Sequence, residues 1–519
     1  MNFRKIALLL AVLMLVGSIA ACGSSSPTPT PGPAASATGG SKLIPEPITI
    51  DVWYGDQAQN PYNPDWLVRE LIAERTNITY NCTALMTGMT DKLNLAVASR
   101  DLPDMIPLGY PDNAADWGTR QGAVVNFANH FDEMPNFMKW SRSQGKYVDD
   151  YFTSVDGGLY MMPVSNMGIT DHVVWMYRKD IFDMHGLVPP TNENEMFDVC
   201  YELKQLYPDS YPLMNRGYVD LYGRVAHHFG TGNFQYWNAS QKKWVYGQTE
   251  ANFQYSVEWS AKLYSNGILP LNVVTMDVPT WDSYVLTNRG FVLNQYQVQL
   301  DTLYSRMKEE NPNVEWAYMK PWKGGPNGRT DNQPTPVYQM GYMLFSTSKY
   351  QSEIIKLFDW FYTDEGIEVM NWGKEDESYY YNLNGTKAHI GITPGESASF
   401  DVINLYGFYA RGFYCVFDTE ARLTYASQES RRTMRQIVAD AAPAESTKPG
   451  VSFSSDRIER INILRPILQN HSLENVGLFI TGQRPLAEYD DFVSELYALG
   501  LDEFLQLYND QQTENDANK

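Results

Sequence analysis

Ile48-Thr49-Ile50-Asp51-Val52 is the stretch from which the fold can be read, because apolar and polar residues alternate along it as they do in a half-buried strand. A polar loop, Tyr54 to Tyr62, follows, and then the period changes. Asn63 and Pro64 suit an N-cap and a first helical residue, and Leu67, Val68, Leu71 and Ile72 line one helical face. Ile78-Thr79-Tyr80 reads as a second strand. A second helix starts near Thr90 with Leu93, Ala96 and Val97 inward, and Pro103-Asp104-Met105-Ile106 opens a third strand. Strand, helix, strand, helix, strand in so short a span predicts parallel pairing with right-handed crossovers, an α/β architecture.

The same pattern returns downstream. Val173 to Tyr177 reads as a strand. Asp180 to His185 reads as a helix that Gly186 stops, and Thr191 or Asn192 caps the next one, whose buried face is Met196, Phe197, Cys200 and Leu203. A long helix is predicted over Ser348 to Trp372, with Ile354, Phe358 and Phe361 on one stripe. Two more end the chain. Phe492, Val493 and Leu496 mark one, which Gly500 closes, and Leu501, Phe504, Leu505 and Tyr508 mark the other. The amide-rich end from Asn509 is expected to fray.

The N-terminus has a separate logic. Arg4 and Lys5 precede an apolar run from Ile6 to Ile19, and Ile19-Ala20-Ala21-Cys22 follows. A basic start, a short apolar core and small residues predict a secretory signal peptide over 1–21, exported through the Sec pathway. The cysteine resembles that of the bacterial lipobox, whose thiol takes a diacylglycerol thioether; Cys22 is the expected lipidation site. Residues 22–45, rich in Ser, Pro and Gly, hold too little apolar surface to fold and are expected to form a disordered tether. Stable anchoring takes two acyl chains. The expected location is the outer face of the cell membrane.

Composition narrows the partners. The 519 residues carry a net charge of −21, which excludes nucleic acid as a partner and leaves the lipid as the only membrane contact. Beyond Cys22, Cys82, Cys200 and Cys415 allow one disulfide at most, so cross-links do not hold the fold. G-x-S-x-G, H-E-x-x-H and the phosphate-binding G-x-x-x-x-G-K-[ST] are all missing, and the neighbouring His227 and His228 point different ways on any regular element. No catalytic residue, cofactor or metal is expected.

Several local patterns then resemble one family. Lys92 to Ser99 followed by Arg100-Asp101-Leu102-Pro103-Asp104 is similar to a family helix and its "gdlPD" turn. Asp156-Gly157-Gly158-Leu159-Tyr160 with Pro163, Tyr177-Arg178-Lys179-Asp180 with His185-Gly186-Leu187-Val188-Pro189, Arg289-Gly290-Phe291-Val292, and Ile480-Thr481-Gly482-Gln483-Arg484-Pro485 follow in the family's order. Together they resemble the extracellular solute-binding lipoproteins of carbohydrate ABC importers, in the large oligosaccharide-binding subgroup. The resemblance implies a two-lobe, type II periplasmic-binding-protein-like α/β fold with an interlobe ligand cleft and extra C-terminal helices. It implies lobes at 46–167 plus 292–345 and at 168–291 plus 346–470, with C-terminal helices and a frayed tail over 471–519. It also implies a monomer that meets permease subunits. Where large relatives carry a calcium loop, this chain has Tyr207-Pro208-Asp209-Ser210-Tyr211-Pro212, with one carboxylate where several oxygen ligands are needed.

Sugars present an apolar C–H face and a ring of hydroxyls, so a cleft for them combines aromatic rings with amides, carboxylates and guanidinium groups. The chain has 35 Tyr, 13 Trp and 22 Phe to supply the rings. Position after a strand selects Trp53, Tyr54 and Asp56, then Tyr110 and Asp112. Asn166 lies close to the second lobe's first strand, Trp175 lies in it, and Arg178, which follows, suits equally a ligand fork or a structural clamp on Asp180. The strand that ends Asn294-Gln295-Tyr296-Gln297 offers Asn294, Gln295 and Tyr296. Glu375 and Tyr379 sit in Gly373-Lys374-Glu375-Asp376-Glu377-Ser378-Tyr379, which is similar to a family "GxEGxxY" turn but lacks its second glycine. The expected mechanism is capture of a carbohydrate by hinge closure and delivery to the importer. The alternatives are a lipid-anchored glycoside hydrolase and a peptide-binding or sensory lipoprotein.

Overall fold

Alternation along Ile48–Gly55 buries Ile50, Val52 and Tyr54 on one side and fixes the first strand, around which the rest of the first sheet assembles. A computed structural model describes residues 42–56, 61–86, 89–109, 111–154, 156–165, 173–215, 217–297, 306–308, 310–332, 339–394, 398–424, 426, 428–441 and 453–517. Its strands in chain order are β1 (Ile48–Gly55), β2 (Ile78–Leu85), β3 (Met105–Gly109) and β4 (Met162–Pro163), then β5 (Val173–Arg178), β6 (Leu213–Asn215), β7 (Gln235–Asn238) and β8 (Lys243–Tyr246). After these come β9 (Val292–Tyr296), β10 (Trp316–Met319), β11 (Gly341–Leu344), β12 (Tyr379–Tyr381) and β13 (Lys387–His389).

The first sheet runs β2-β1-β3-β11-β4. β1 pairs parallel with β2 from Ile48↔Ile78 to Gly55↔Leu85, and parallel with β3, as the sequence predicts. The first crossover helix spans Leu67–Thr76 and buries Val68, Leu71 and Ile72. It starts three residues later than expected. Trp66 is drawn into the core and stands at the N-cap, while Asn63 Oδ1 accepts from Asp65 N in the turn before it. The tether also ends earlier than expected: Leu43 N and Ile44 N donate to Arg75 O and Thr76 O, and Ile44 joins the core.

The second sheet runs β10-β5-β9-β6, with β5 antiparallel to β9 and β10 and β6 parallel to β9. This division differs from the expected one, which put 292–345 in the first lobe and 346–470 in the second. β9 and β10 complete the second sheet, whereas β11 joins the first sheet and Ile354, Phe358, Trp372, Phe408 and Cys415 pack in the first core. Trp175, Leu213, Val292 and Trp322 cover one face of the second sheet; Val174, Met176, Leu293 and Ile437 cover the other. Cys82, Cys200 and Cys415 are free thiols.

The single helix expected over Ser348 to Trp372 is two, Gln351–Trp360 and Asp364–Asn371. Thr363 Oγ1 accepts from Gly366 N and restarts the second. A Cβ on Gly366 would lie 2.1 Å from Trp360 O, so only glycine allows the two helices to abut. Asn192 caps the helix Glu193–Leu206 and Gly186 ends the preceding one in the left-handed region, both as expected. The turn after Leu206 closes on Lys204, whose ammonium donates to Pro208 O and Ser210 O at 2.7 Å each and lies 5.1 Å from the Tyr211 ring centre.

A third core joins the β7–β8 hairpin to the C-terminal helices Ser455–Ile480, Tyr489–Ala498 and Leu501–Ala517. The amide-rich end does not fray. Trp244 N donates to Asn509 Oδ1 and Asn509 Nδ2 donates back to Trp244 O, while Trp244 Nε1 donates to Gln512 Oε1. An amide side chain can satisfy both ends of an edge-strand peptide, and this one does so across the chain. Among the described residues, no helix is long and apolar enough to cross a membrane.

Candidate functional site

In open α/β sheets, ligands settle beyond the carboxyl ends of the strands. At the end of β1, Trp53 is half-buried with the Lys92 ammonium 4.3 Å from its ring centre. Tyr54 is 3% exposed and packs among Tyr62, Trp66 and Phe413 at centroid distances of 5.2, 6.4 and 6.1 Å. Burial, then the nearby Asp56 carboxylate, pushes its phenol far above the usual range. Asp56 Oδ1 accepts from Tyr62 N at 2.8 Å, which ties the loop to the strand. Arg411 reaches the same end, its Nη1 3.8 Å from where a Gly55 Cβ would sit. Asp112 lies in the helix Pro111–Thr119; Tyr110 lies outside the described residues.

In the second sheet, Trp175 is fully buried and its Nε1 donates to His228 Nε2 at 2.7 Å. That bond requires a neutral His228 ring with Nε2 as acceptor, and burial accordingly pushes this imidazole down to about 3. Arg178 is a clamp. Its Nε and Nη2 fork onto both oxygens of Asp180 at 2.8 and 2.6 Å, its Nη1 donates to Asn288 Oδ1 at 2.5 Å, and its side chain is 1% exposed. Asn166 and Cys22 lie outside the described residues.

The ends of β6 and β9 differ from every other strand end described above. Asn215 sits beside Asn294 in register, and Asn294 sits beside Trp175, so these three side chains share one face. Gln295 alternates to the other, and Gln297 follows directly after the strand. All four amides are nine-tenths buried or more, and among the described residues six of their nitrogen and oxygen atoms have no hydrogen-bond partner: Asn215 Nδ2 and Oδ1, Asn294 Oδ1, Gln295 Nε2, and Gln297 Nε2 and Oε1. Leaving such a group without a partner costs about 1–3 kcal/mol, so this cluster calls for partners that the described residues do not supply, water or a ligand. Arg224, from the helix Tyr218–His228, donates from Nη1 to Asn294 O at 3.0 Å and lies 5.4 Å from the ring centre of half-buried Tyr296.

Glu375 and Tyr379 belong elsewhere. Glu375 is exposed, and the Tyr379 hydroxyl donates to Glu368 Oε1 at 2.5 Å in the small β12–β13 sheet, where Lys387 also pairs with Glu368. An open cavity of about 310 Å³ between the helix Leu67–Thr76 and β2 holds none of the expected ligand residues. Arg69, which lines it, already donates to the carbonyls of Pro64 and Tyr80, so the strand-end amides are the stronger site. His227 turns to Asp331 while His228 turns to Trp175, and among the described residues no group of three or more His, Cys, Asp or Glu is placed to hold a metal.

Of the expected residues, the structure unites Trp175, Asn294, Gln295 and Tyr296 at one strand end and Trp53, Tyr54 and Asp56 at another. Sequence reading did not select Asn215, Arg224 or Gln297 as candidates. Gln297 was visible beside the amide pair. The one signal at Asn215 is that it is the first polar residue after the apolar Pro212-Leu213-Met214.

Residues 73–368 match the family described as bacterial extracellular solute-binding protein. Over the whole chain, the sequence is 20% identical to the fructooligosaccharide ABC transporter substrate-binding protein FusA of Streptococcus pneumoniae serotype 4, of which it covers 99%. The alginate-binding protein AlgQ2 superposes with a TM-score of 0.74 at 17% identity, over 91% of this chain and 99% of that one. FusA of S. pneumoniae in complex with kestose superposes with a TM-score of 0.72 at 17% identity, over 91% of this chain and all of that one.

Proposed function

The chain belongs to the bacterial extracellular solute-binding proteins, and from that membership we propose that it captures an oligosaccharide between two lobes and delivers it to the membrane subunits of an ABC importer. The observation that carries this reading is the set of buried amides at the ends of β6 and β9 with six unmet hydrogen-bonding atoms. Hydroxyls of a sugar complete them, and the half-buried rings of Tyr296 and Trp53 suit its C–H faces. The fructooligosaccharide carrier, similar along the whole chain, supports the class of cargo.

The chain works as a monomeric carrier. Ligand binds one lobe, bridges to the other, and shifts the open–closed balance by its differential affinity for the closed form. Cys22 carries the lipid that holds the protein at the outer face of the membrane after Sec export, near the permease it serves. Thermal unfolding with neutral oligosaccharides tests the capture. An occupied site stabilises by about 2.7 kcal/mol at a hundredfold excess over Kd, and small-angle scattering then reads a smaller radius of gyration with ligand. Binding without compaction sinks the hinge; consumption of the sugar sinks the carrier. Cys22→Ser is expected to move the protein from the membrane fraction to the medium.

A further inference from the structure

We infer that the second-lobe half of this site selects uncharged, hydroxyl-rich saccharides and rejects uronates; the inference rests on the carbohydrate reading above. The unmet atoms divide evenly. Asn215 Nδ2, Gln295 Nε2 and Gln297 Nε2 are donors; Asn215 Oδ1, Asn294 Oδ1 and Gln297 Oε1 are acceptors. Exchanging the oxygen and nitrogen ends of Asn215 or Gln297 leaves that balance unchanged. A hydroxyl donates once and accepts twice, so a ring of hydroxyls satisfies both kinds of atom. A carboxylate only accepts. Placed on the face that Asn215 and Asn294 share, it answers one donor and leaves two amide oxygens buried against its own negative charge, at a cost of about tenfold in affinity or more for each oxygen left empty.

The neighbouring cations do not alter this. Arg178 is committed to Asp180 and Asn288. Arg224 is committed to Asn294 O and the Tyr296 ring. Lys320 is exposed at the end of edge strand β10, with β5 between it and β9, about 10 Å away at the usual strand spacing. The selectivity therefore comes from amides whose two ends are both needed.

Titration calorimetry of the full chain against kestose, cellotriose and maltotriose, and against mannuronate and galacturonate trisaccharides, tests this. The expected result is saturable binding of at least one neutral trisaccharide and at least hundredfold weaker binding of both uronates. Asn215→Asp and Asn294→Asp remove donors and add charge; each is expected to weaken the neutral ligand at least tenfold. Melting curves accompany each variant, and Asn294→Ala replaces any that does not fold. A uronate that binds as tightly as the best neutral sugar overturns this inference and leaves the carrier reading standing. Neutral binding that every folded variant leaves intact also overturns it, since the amides then do not select. Binding of none of the five sugars overturns both.

Discussion

The carboxyl ends of β1 and β9 present the same kinds of residue in sequence, rings beside polar groups, and the fold uses them in opposite ways. At β1, Tyr54 is locked among three other rings and Asp56 holds the amide of Tyr62. At β9, Asn294, Gln295 and Gln297 are as deeply buried as Tyr54 and keep atoms without partners. One end is finished by the chain itself and the other is not. Aromatic abundance alone therefore does not locate a binding surface in this protein. The proposed site rests on unmet hydrogen-bonding capacity instead.

Substitutions can break this contrast, and the largest effect is expected at the finished end. Tyr54→Ala empties a ring-lined core position and should lower unfolding free energy in urea by about 3–5 kcal/mol. A Tyr54→Ala chain that unfolds normally but no longer binds sugar would reverse the roles of the two ends. Arg178→Ala strips Asp180 of its fork and should cost about 3 kcal/mol, with sugar affinity retained in the folded fraction.

Acid probes the floor beneath the open end. Burial pushes the His228 imidazole down to about 3 and that of His389 down to about 4. Both rings bind protons more readily unfolded, near the ordinary value of about 6.5. Their contribution is complete above that value and is lost as pH falls from 6.5 towards 3. A proton on His228 Nε2 would also face the Trp175 N–H, donor against donor. Urea titrations at pH 7 and 4.5 should show the loss, and His228→Gln should remove its own share while leaving that of His389.

The smallest effect on stability belongs to the unfinished end. Asn294→Leu removes a buried acceptor that lacks a partner, so the unfolding free energy should move by less than about 1 kcal/mol, or rise. Sugar affinity should still fall at least tenfold by calorimetry. Unchanged binding would place the contact elsewhere on the rim.

The sequence made the local features plain. The parallel run of β1, β2 and β3, the stop at Gly186 and the cap at Asn192 all follow from spacing over a few residues. What escaped depends on distant partners. The resemblance at Arg289-Gly290-Phe291-Val292 marks a strand but not which sheet receives it, so the lobe division came out differently. Asn509 looked like the start of a frayed tail because Trp244, which it brackets, is 265 residues away. At the site, Asn294 and Gln295 stood out as amides beside a ring, whereas Asn215 ends a strand of three residues, too short for any period to show.

The turn after the helix Glu193–Leu206 closes its carbonyls around the ammonium of Lys204. The positive charge at that corner is delivered by the polypeptide itself, at a local concentration that no dissolved ion matches. The medium outside a cell changes in mineral content, and this corner keeps its charge through every such change. Chelators added during purification leave it in place, and the ribosome that makes the chain also supplies the ion.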